Sequence, residues 1–293
     1  MKRILLAGAT GYLGSHILTE LLDRGVEVIA VARTKTKITI SHPLLTIVEA
    51  QLTNPESIEG IAANADAVIS CVGITRQKDN LTYMDVDYQA NQNLLDEALA
   101  SGVEKFIYVS VLNGQKLRKL KICEAKEKFA DSLKASGLDY TVVRPNGFFS
   151  DMGDFLKMAK GGKVYLFGDG NLKLNPIHGS DLAKACVDCL EKSENEVNIG
   201  GPELLTQNEI ADVAFQAYGK KGKIIHLPNV IRKATILLLR LFTSQKTYGP
   251  FEFFLTTMAM DMSAPCYGIH KLLDHYKEIV RSEGASQRSF GRS

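Results

Sequence analysis

Lys2-Arg3-Ile4-Leu5-Leu6-Ala7 runs directly into Gly8-Ala9-Thr10-Gly11-Tyr12-Leu13-Gly14, and Ser15-His16-Ile17-Leu18 follows without a break. The first six residues have the apolar run of a buried strand, and the last four have the start of a helix. The glycines at 8, 11 and 14 therefore fall in a strand-to-helix turn, the context that gives their spacing a physical purpose. Glycine permits a tight turn and a close approach of the backbone to a pyrophosphate. The N–H groups and positive dipole end of the helix behind it hold the negative charges. The plainer reading of the same residues is a structural turn with no ligand.

The pattern outward from this turn is an alternation. A helix over 14–24 ends at Gly25, and strands follow at 26–32 and 44–49. Asn54 caps a helix with Pro55 at its first position. Strand 66–73, helix 85–101 closed by Gly102, strand 105–110, helix 122–135 and strand 140–143 complete the series. Such an order predicts an α/β protein, a Rossmann-type doubly wound parallel sheet with helices on both faces, over residues 1–145. From 146 to 281 the pattern loosens. Helical pieces at 151–160, 180–191, 206–218, 229–242, 251–260 and 267–281 alternate with short strands at 163–167, 197–199 and 223–227. This predicts a small α+β substrate lobe, interleaved with the core and placed over the carboxyl ends of the strands. Residues 282–293, rich in Ser, Gly and Arg, are expected to form a flexible tail.

The 293 residues are 45% hydrophobic and 23% charged, with a net charge of +2. That balance is ordinary for a soluble enzyme and gives no argument for a nucleic-acid partner. With a strand beginning at the second residue, no targeting segment is expected. No apolar run approaches the roughly 20 residues that span a bilayer. Five cysteines in so long a chain do not make a disulfide framework, and the expected location is the cytoplasm. Cys186 and Cys189 have CxxC spacing but sit in a helical run without a second ligand pair, so no metal is expected.

Proteins that hold NAD use an acid at the end of the second strand for the ribose 2′-hydroxyl. Here that end is Val31-Ala32-Arg33-Thr34-Lys35-Thr36-Lys37. A guanidinium forks onto a 2′-phosphate that a carboxylate would repel, so Arg33 favours NADP(H). A solvated basic loop is the plainer alternative.

By these segments the chain resembles the atypical, NAD(P)-binding branch of the short-chain dehydrogenase/reductase superfamily. Further matches are Asp87-Tyr88-Gln89-Ala90-Asn91-Gln92-Asn93-Leu94-Leu95, residues 102–110 and residues 136–145. A closer likeness is to divinyl chlorophyllide 8-vinyl reductase-type proteins. It is carried by Cys123-Glu124-Ala125-Lys126-Glu127-Lys128-Phe129, Arg144-Pro145-Asn146-Gly147-Phe148-Phe149, Phe167-Gly168-Asp169-Gly170 and Ile199-Gly200-Gly201-Pro202. The resemblance implies that Gly8, Gly11 and Gly14 form the phosphate turn, lined by Thr10, Tyr12 and Leu13. It puts Gln51 and Leu52 beside the adenine, Cys71, Val72 and Gly73 at the ribose, and Pro145, Asn146 and Phe148 around the nicotinamide.

The superfamily's usual acid is a tyrosine four residues before a lysine. Lys126 is present, but Ile122 stands in the tyrosine's place, and Ser110 is at the position of the third member. Lys126 can still orient the nicotinamide ribose. What is missing is the phenol that protonates an alkoxide, worth about 10²–10⁴-fold. Two readings follow. One is an NADPH-dependent reductase that sends hydride to an apolar, conjugated small molecule. The other is a non-catalytic NADP(H)-binding regulator or assembly factor, as in NmrA-like proteins. His178 is the candidate replacement acid, ahead of Tyr83 and Tyr88, although a loop histidine is more often structural. His270 and His275, five apart, do not share a helical face. The apolar run 230–242 suits peripheral membrane contact or a substrate lid. A helix packed on the sheet's flank would use it equally well and is the favoured reading.

Overall fold

The computed structural model describes residues 2–75 and 80–290. The first half is β1 (Arg3–Ala7), α1 (Tyr12–Asp23), β2 (Glu27–Ala32), β3 (Leu45–Glu49), β4 (Ala67–Ser70), α2 (Asn91–Ala100), β5 (Lys105–Val109), α3 (Lys121–Ala135) and β6 (Asp139–Pro145). Then come α4 (Gly153–Lys160), β7 (Lys163–Phe167), β8 (Lys173–Leu174), α5 (Gly179–Asp188), β9 (Glu196–Ile199), β10 (Leu205–Thr206), α6 (Gln207–Ala217), β11 (Lys223–Leu227), α7 (Asn229–Phe242), α8 (Gln245–Thr257) and α9 (Leu272–Phe290). The chain divides into two compact units. The first comprises Met1–Pro145, Leu182–Asn198 and Ser244–Phe253, and the second comprises Asn146–Asp181, Ile199–Thr243 and Phe254–Ser293.

In the first unit the sheet order is β3-β2-β1-β4-β5-β6-β9. The pairings from β3 through β6 are all parallel. Strand direction of travel across the sheet reverses between β1 and β4, which makes their carboxyl ends the ligand-binding crevice of such a fold. Ile4, Leu5, Leu6 and Ala7 are all fully buried, as expected of a strand covered on both faces. On one face Leu5, Val68, Phe106 and Tyr108 pack with Leu94, Leu95, Phe129 and Leu133 from α2 and α3.

A buried ion pair ties β5, α3 and β6 together. Arg144 forks onto Glu127, at 2.5 and 2.9 Å, with 3% and 0% of the two side chains exposed. Its Nε reaches Glu196 of β9 at 3.2 Å. Ser110 completes the cluster, donating to Glu127 Oε1 at 3.0 Å.

In the second unit β7 pairs in parallel with β11, and β8 pairs antiparallel with β10. The α6 N-terminus carries a full capping box between Thr206 and Glu209, the exchange that satisfies two orphan donors at once.

Four expectations need correction. The helix expected after Asn54 is only a 3-10 turn, Pro55–Ile58, although Asn54 does accept from Glu56 N–H. The helix expected over 85–101 begins as a π-helical segment, Met84–Ala90, before α2. The last helix continues to Phe290 instead of stopping at 281, while residues 291–293 of the expected tail lie outside the described residues. Finally, α7 buries none of its residues. It is not the flank-packed helix that its apolar content suggested, because its most apolar stripe faces solvent.

Because Glu127 and Arg144 are both buried, removing either partner strands the other. Glu127→Gln and Arg144→Met should each cost about 3–5 kcal/mol in urea unfolding. The double variant should cost clearly less than the sum of the two.

Candidate functional site at the carboxyl ends of β1 and β4

Three glycines shape the turn after β1, each for a different steric reason. Gly8 adopts φ +91°, and a Cβ there would meet Cys71 Sγ at 2.9 Å. Gly11 donates to Gly8 O at 2.9 Å and closes the turn. A Cβ on Gly14 would overlap the Gly8 carbonyl, so α1 passes directly against the turn. The helix begins at Gly11 with no side-chain cap and no acid in its first turn. An anion is therefore met by a positive helix end with no local carboxylate. Thr10 and Gly11 are exposed, Tyr12 is half-buried, and Leu13 is buried in the core.

Across the reversal point β4 runs on into Cys71-Val72-Gly73. Cys71 lies against β1, its N–H donating to Ala7 O at 3.1 Å and its thiol to the same oxygen at 3.3 Å. Burial pushes this thiol up to about 12, which disfavours the thiolate at neutral pH. Asn91 anchors the strand end from below. It accepts from Ser70 Oγ at 2.5 Å and donates to Val72 O and Asp87 O.

Lys126 lies beneath Gly73. Its Nζ pairs with Asp87 Oδ1 at 2.9 Å, with side-chain exposures of 13% and 0%. Asp87 Oδ2 accepts from Ile74 N–H at 3.2 Å. A Cβ on Gly73 would lie 2.6 Å from both the lysine nitrogen and the carboxylate oxygen. Glycine is needed there to let the backbone cross the ion pair. Burial pulls Lys126 down, but the Asp87 carboxylate more than offsets this and holds the ammonium above its ordinary value. Burial likewise holds Asp87 above the usual carboxylate range, with Lys126 opposing it. The Lys126 nitrogen also sits 5.8 Å from the Tyr108 ring centre. The Tyr108 hydroxyl is fully buried without a hydrogen bond, and burial drives it well above the usual phenol range.

The remaining expected residues fall in several places. Arg33 is exposed at the end of β2. On the neighbouring strand Glu49 stands opposite Ala32 and accepts from Lys35 N–H at 2.9 Å. The fold thus brings an acid to this edge that the β2 sequence does not contain. Gln51 is half-buried and donates to Thr53 Oγ1 at 2.7 Å, next to half-buried Leu52. Pro145 is buried at the end of β6. Ser110 is held by Glu127, and Ile122 is buried on α3. Tyr83 is buried with its hydroxyl on Thr75 O at 2.8 Å, and the Tyr88 ring lies under Lys128.

Asn146, Phe148 and His178 belong to the second unit. The Asn146 amide nitrogen is engaged by Asn175 and the Met262 carbonyl. Half-buried Phe148 donates its N–H to Asp151 at 3.0 Å. His178 Nδ1 accepts from Ser180 N–H, and its ring stacks on His270 at 4.3 Å and meets His275 at 5.9 Å. Chain spacing had set these histidines apart, yet the fold gathers them. His270 Nδ1 lies 2.9 Å from Asp181, whose other oxygen accepts from the N–H groups of Ile269 and His270. Among the described residues no group of three or more potential ligands is placed to hold a metal ion.

Sequence reasoning assigned no role to Asp87 or Asn91. The available signal was the four-residue spacing of Asp87 and Asn91, which puts both on one helical face.

A glycine cradle at the sheet's reversal point, beneath which a half-buried lysine pairs with a buried carboxylate, defines a nucleotide-binding protein of the doubly wound class. The family model described as NAD(P)H-binding matches residues 8–193, and the chain belongs to this family, in the atypical branch of the short-chain dehydrogenase/reductases. Divinyl chlorophyllide a 8-vinyl-reductase of Arabidopsis thaliana is 30% identical over 97% of this chain and 78% of its own. Photosystem II assembly factor Ycf39 of Synechocystis is 26% identical over 84% of this chain and 76% of its own. Among solved structures, an NADPH-dependent quinone oxidoreductase of Escherichia coli, complexed with NADPH, shares the fold with a TM-score of 0.69. It is 14% identical over 94% of this chain and 99% of its own. A nucleoside-diphosphate-sugar epimerase of Staphylococcus aureus gives the same TM-score at 17% identity, over 94% of this chain and 100% of its own.

Lys126→Met should destabilise the fold by about 3 kcal/mol at pH 7 by stranding the Asp87 carboxylate. That loss should shrink as pH falls through the raised Asp87 value, somewhere above its ordinary 3.8, because a neutral acid needs no counter-charge. Urea unfolding of both proteins from pH 7 downward checks the sign. A loss independent of pH would leave the ion pair without energetic weight.

Proposed function

We propose that the protein is an NADPH-dependent reductase that delivers hydride to an apolar substrate whose accepting carbon–carbon double bond is conjugated. The observation that carries this reading is Lys126 paired with the buried Asp87 carboxylate, with Ile122 in place of a phenol. A dihydronicotinamide, when bound, supplies the hydride. Gly8, Gly11 and Gly14 hold the phosphates against the α1 N-terminus, and Cys71, Val72 and Gly73 border the ribose. Lys126, kept protonated, donates hydrogen bonds to the ribose hydroxyls and orients the ring; it is a binding group and not the acid. Gln51 and Leu52 border the adenine.

With Ile122 in place of the phenol, the superfamily's usual acid for a nascent alkoxide is missing, which disfavours ketone reduction. A conjugated acceptor spreads the developing charge over its own π system and takes its proton later from water. The name of the 30% identical relative, a vinyl reductase, supports this substrate class. The five free thiols support a reducing compartment, in keeping with the cytoplasm.

Arg33 supports NADP(H) over NAD(H). Arg33→Asp should weaken NADPH binding at least about tenfold and leave NADH nearly unchanged, as titration of each nucleotide would report. Equal effects on both would remove the 2′-phosphate from the argument, and Glu49 would then be the residue to examine.

Ile122 and the similarity to an assembly factor favour a second reading, a non-catalytic NADP(H)-binding factor. NADPH oxidation measured over enones, vinyl-bearing tetrapyrroles and quinones separates the two. Turnover confined to conjugated acceptors supports the reductase, whereas tight NADPH binding with no turnover on any of them supports the binding factor.

A further inference from the structure

We propose that α7 is an interfacial helix that docks the protein on an anionic lipid bilayer, independently of the reductase reading. Val230, Ala234, Leu237 and Leu241 recur at the spacing of one helical face, with Ile231, Leu238 and Phe242 beside them. In a helix packed on a protein this face is the buried one. Here it is the open one: Val230 is 68% exposed, Leu237 58%, Leu241 67% and Phe242 79%. The opposite side, with Ile236 and Leu239, is the half-buried one, and Arg232 ties it down by donating to Leu255 O at 3.1 Å. The helix is thus oriented with its apolar stripe outward.

Charge identifies the occupant. The polar edge of the stripe carries Lys233 and Arg240, and from Asn229 to Pro250 the chain holds Arg232, Lys233, Arg240 and Lys246 with no Asp or Glu. An apolar face edged by basic residues matches acyl chains beneath anionic headgroups. A second copy of the chain matches it poorly. The same helix packed antiparallel across a twofold axis would set basic edges together. In addition, a stripe about 21 Å long and about 10 Å wide offers about 200 Å², against about 800 Å² per partner in a stable interface. No described helix is long and apolar enough to cross a membrane, so α7 would lie along the surface.

The chain contains no tryptophan, so Leu237→Trp makes the full-length protein report on this face alone. Its emission should shift to the blue on adding vesicles of phosphatidylcholine with phosphatidylglycerol. Association should be at least about tenfold stronger than with phosphatidylcholine alone. Adding Leu241→Asp should weaken it by at least about tenfold, with an unchanged far-ultraviolet circular dichroism spectrum and urea midpoint as the sign of an intact fold. Lys233→Glu/Arg240→Glu, in the same tryptophan background, should abolish the preference for anionic vesicles. The proposal is overturned if no shift occurs with anionic vesicles, or if neither variant changes it. A blue shift that grows with protein concentration in the absence of lipid would instead make this a self-association surface.

Discussion

The close approach of the turn after β1 to the end of β4 is the constraint on which the site rests. Gly8 lies against Cys71, Gly14 against the Gly8 carbonyl, and Cys71 is stitched to Ala7 through both its amide and its thiol. A side chain at Gly8 or Gly14 would push α1 off the sheet and carry the helix N-terminus away from the strand ends. The parallel order of the sheet brings β1 and β4 side by side, and the glycines let the segments that follow them approach closely.

Beneath this crevice two adjacent residues of α3 do different work. Lys126 turns toward Asp87 and Gly73, and Glu127 turns toward Arg144 and Ser110. Consecutive helical side chains diverge by about 100°, so one turn of helix serves an ammonium under the crevice and a carboxylate in the scaffold. Asp87, Glu127 and Arg144 are buried and Lys126 is half-buried, and further hydrogen bonds support each pair, from Ile74 N–H to Asp87 and from Ser110 to Glu127. Ser110 is thereby drawn into the scaffold pair, which is why a match by position alone says little about its chemistry.

Much of the first unit was legible from sequence, because its signals are local. Apolar runs set β1, β2, β4 and β5, and glycines with φ of 70° and 71° at Gly25 and Gly102 close their turns. The glycine spacing announced the cradle. Less was legible where a residue's partner lies far away in the chain. Asp87 gains its meaning only from Lys126, and Glu49 reaches the Arg33 edge only through strand pairing. The three histidines 178, 270 and 275 meet only in the fold. Helix α7 is the sharpest case, since its periodicity announces an apolar face without saying whether that face turns inward.

By itself, then, the sequence determined the class of fold, the glycine turn after β1 and the absence of a phenol at position 122. These depend on backbone geometry and on side-chain identity at fixed local spacing. Only the tertiary structure decided that Lys126 pairs with buried Asp87, that Gly73 must be glycine to clear the pair, and that α7 presents its apolar stripe to solvent. The physical reason is that burial and pairing are relations between distant segments, and no short stretch of chain contains both members of the relation.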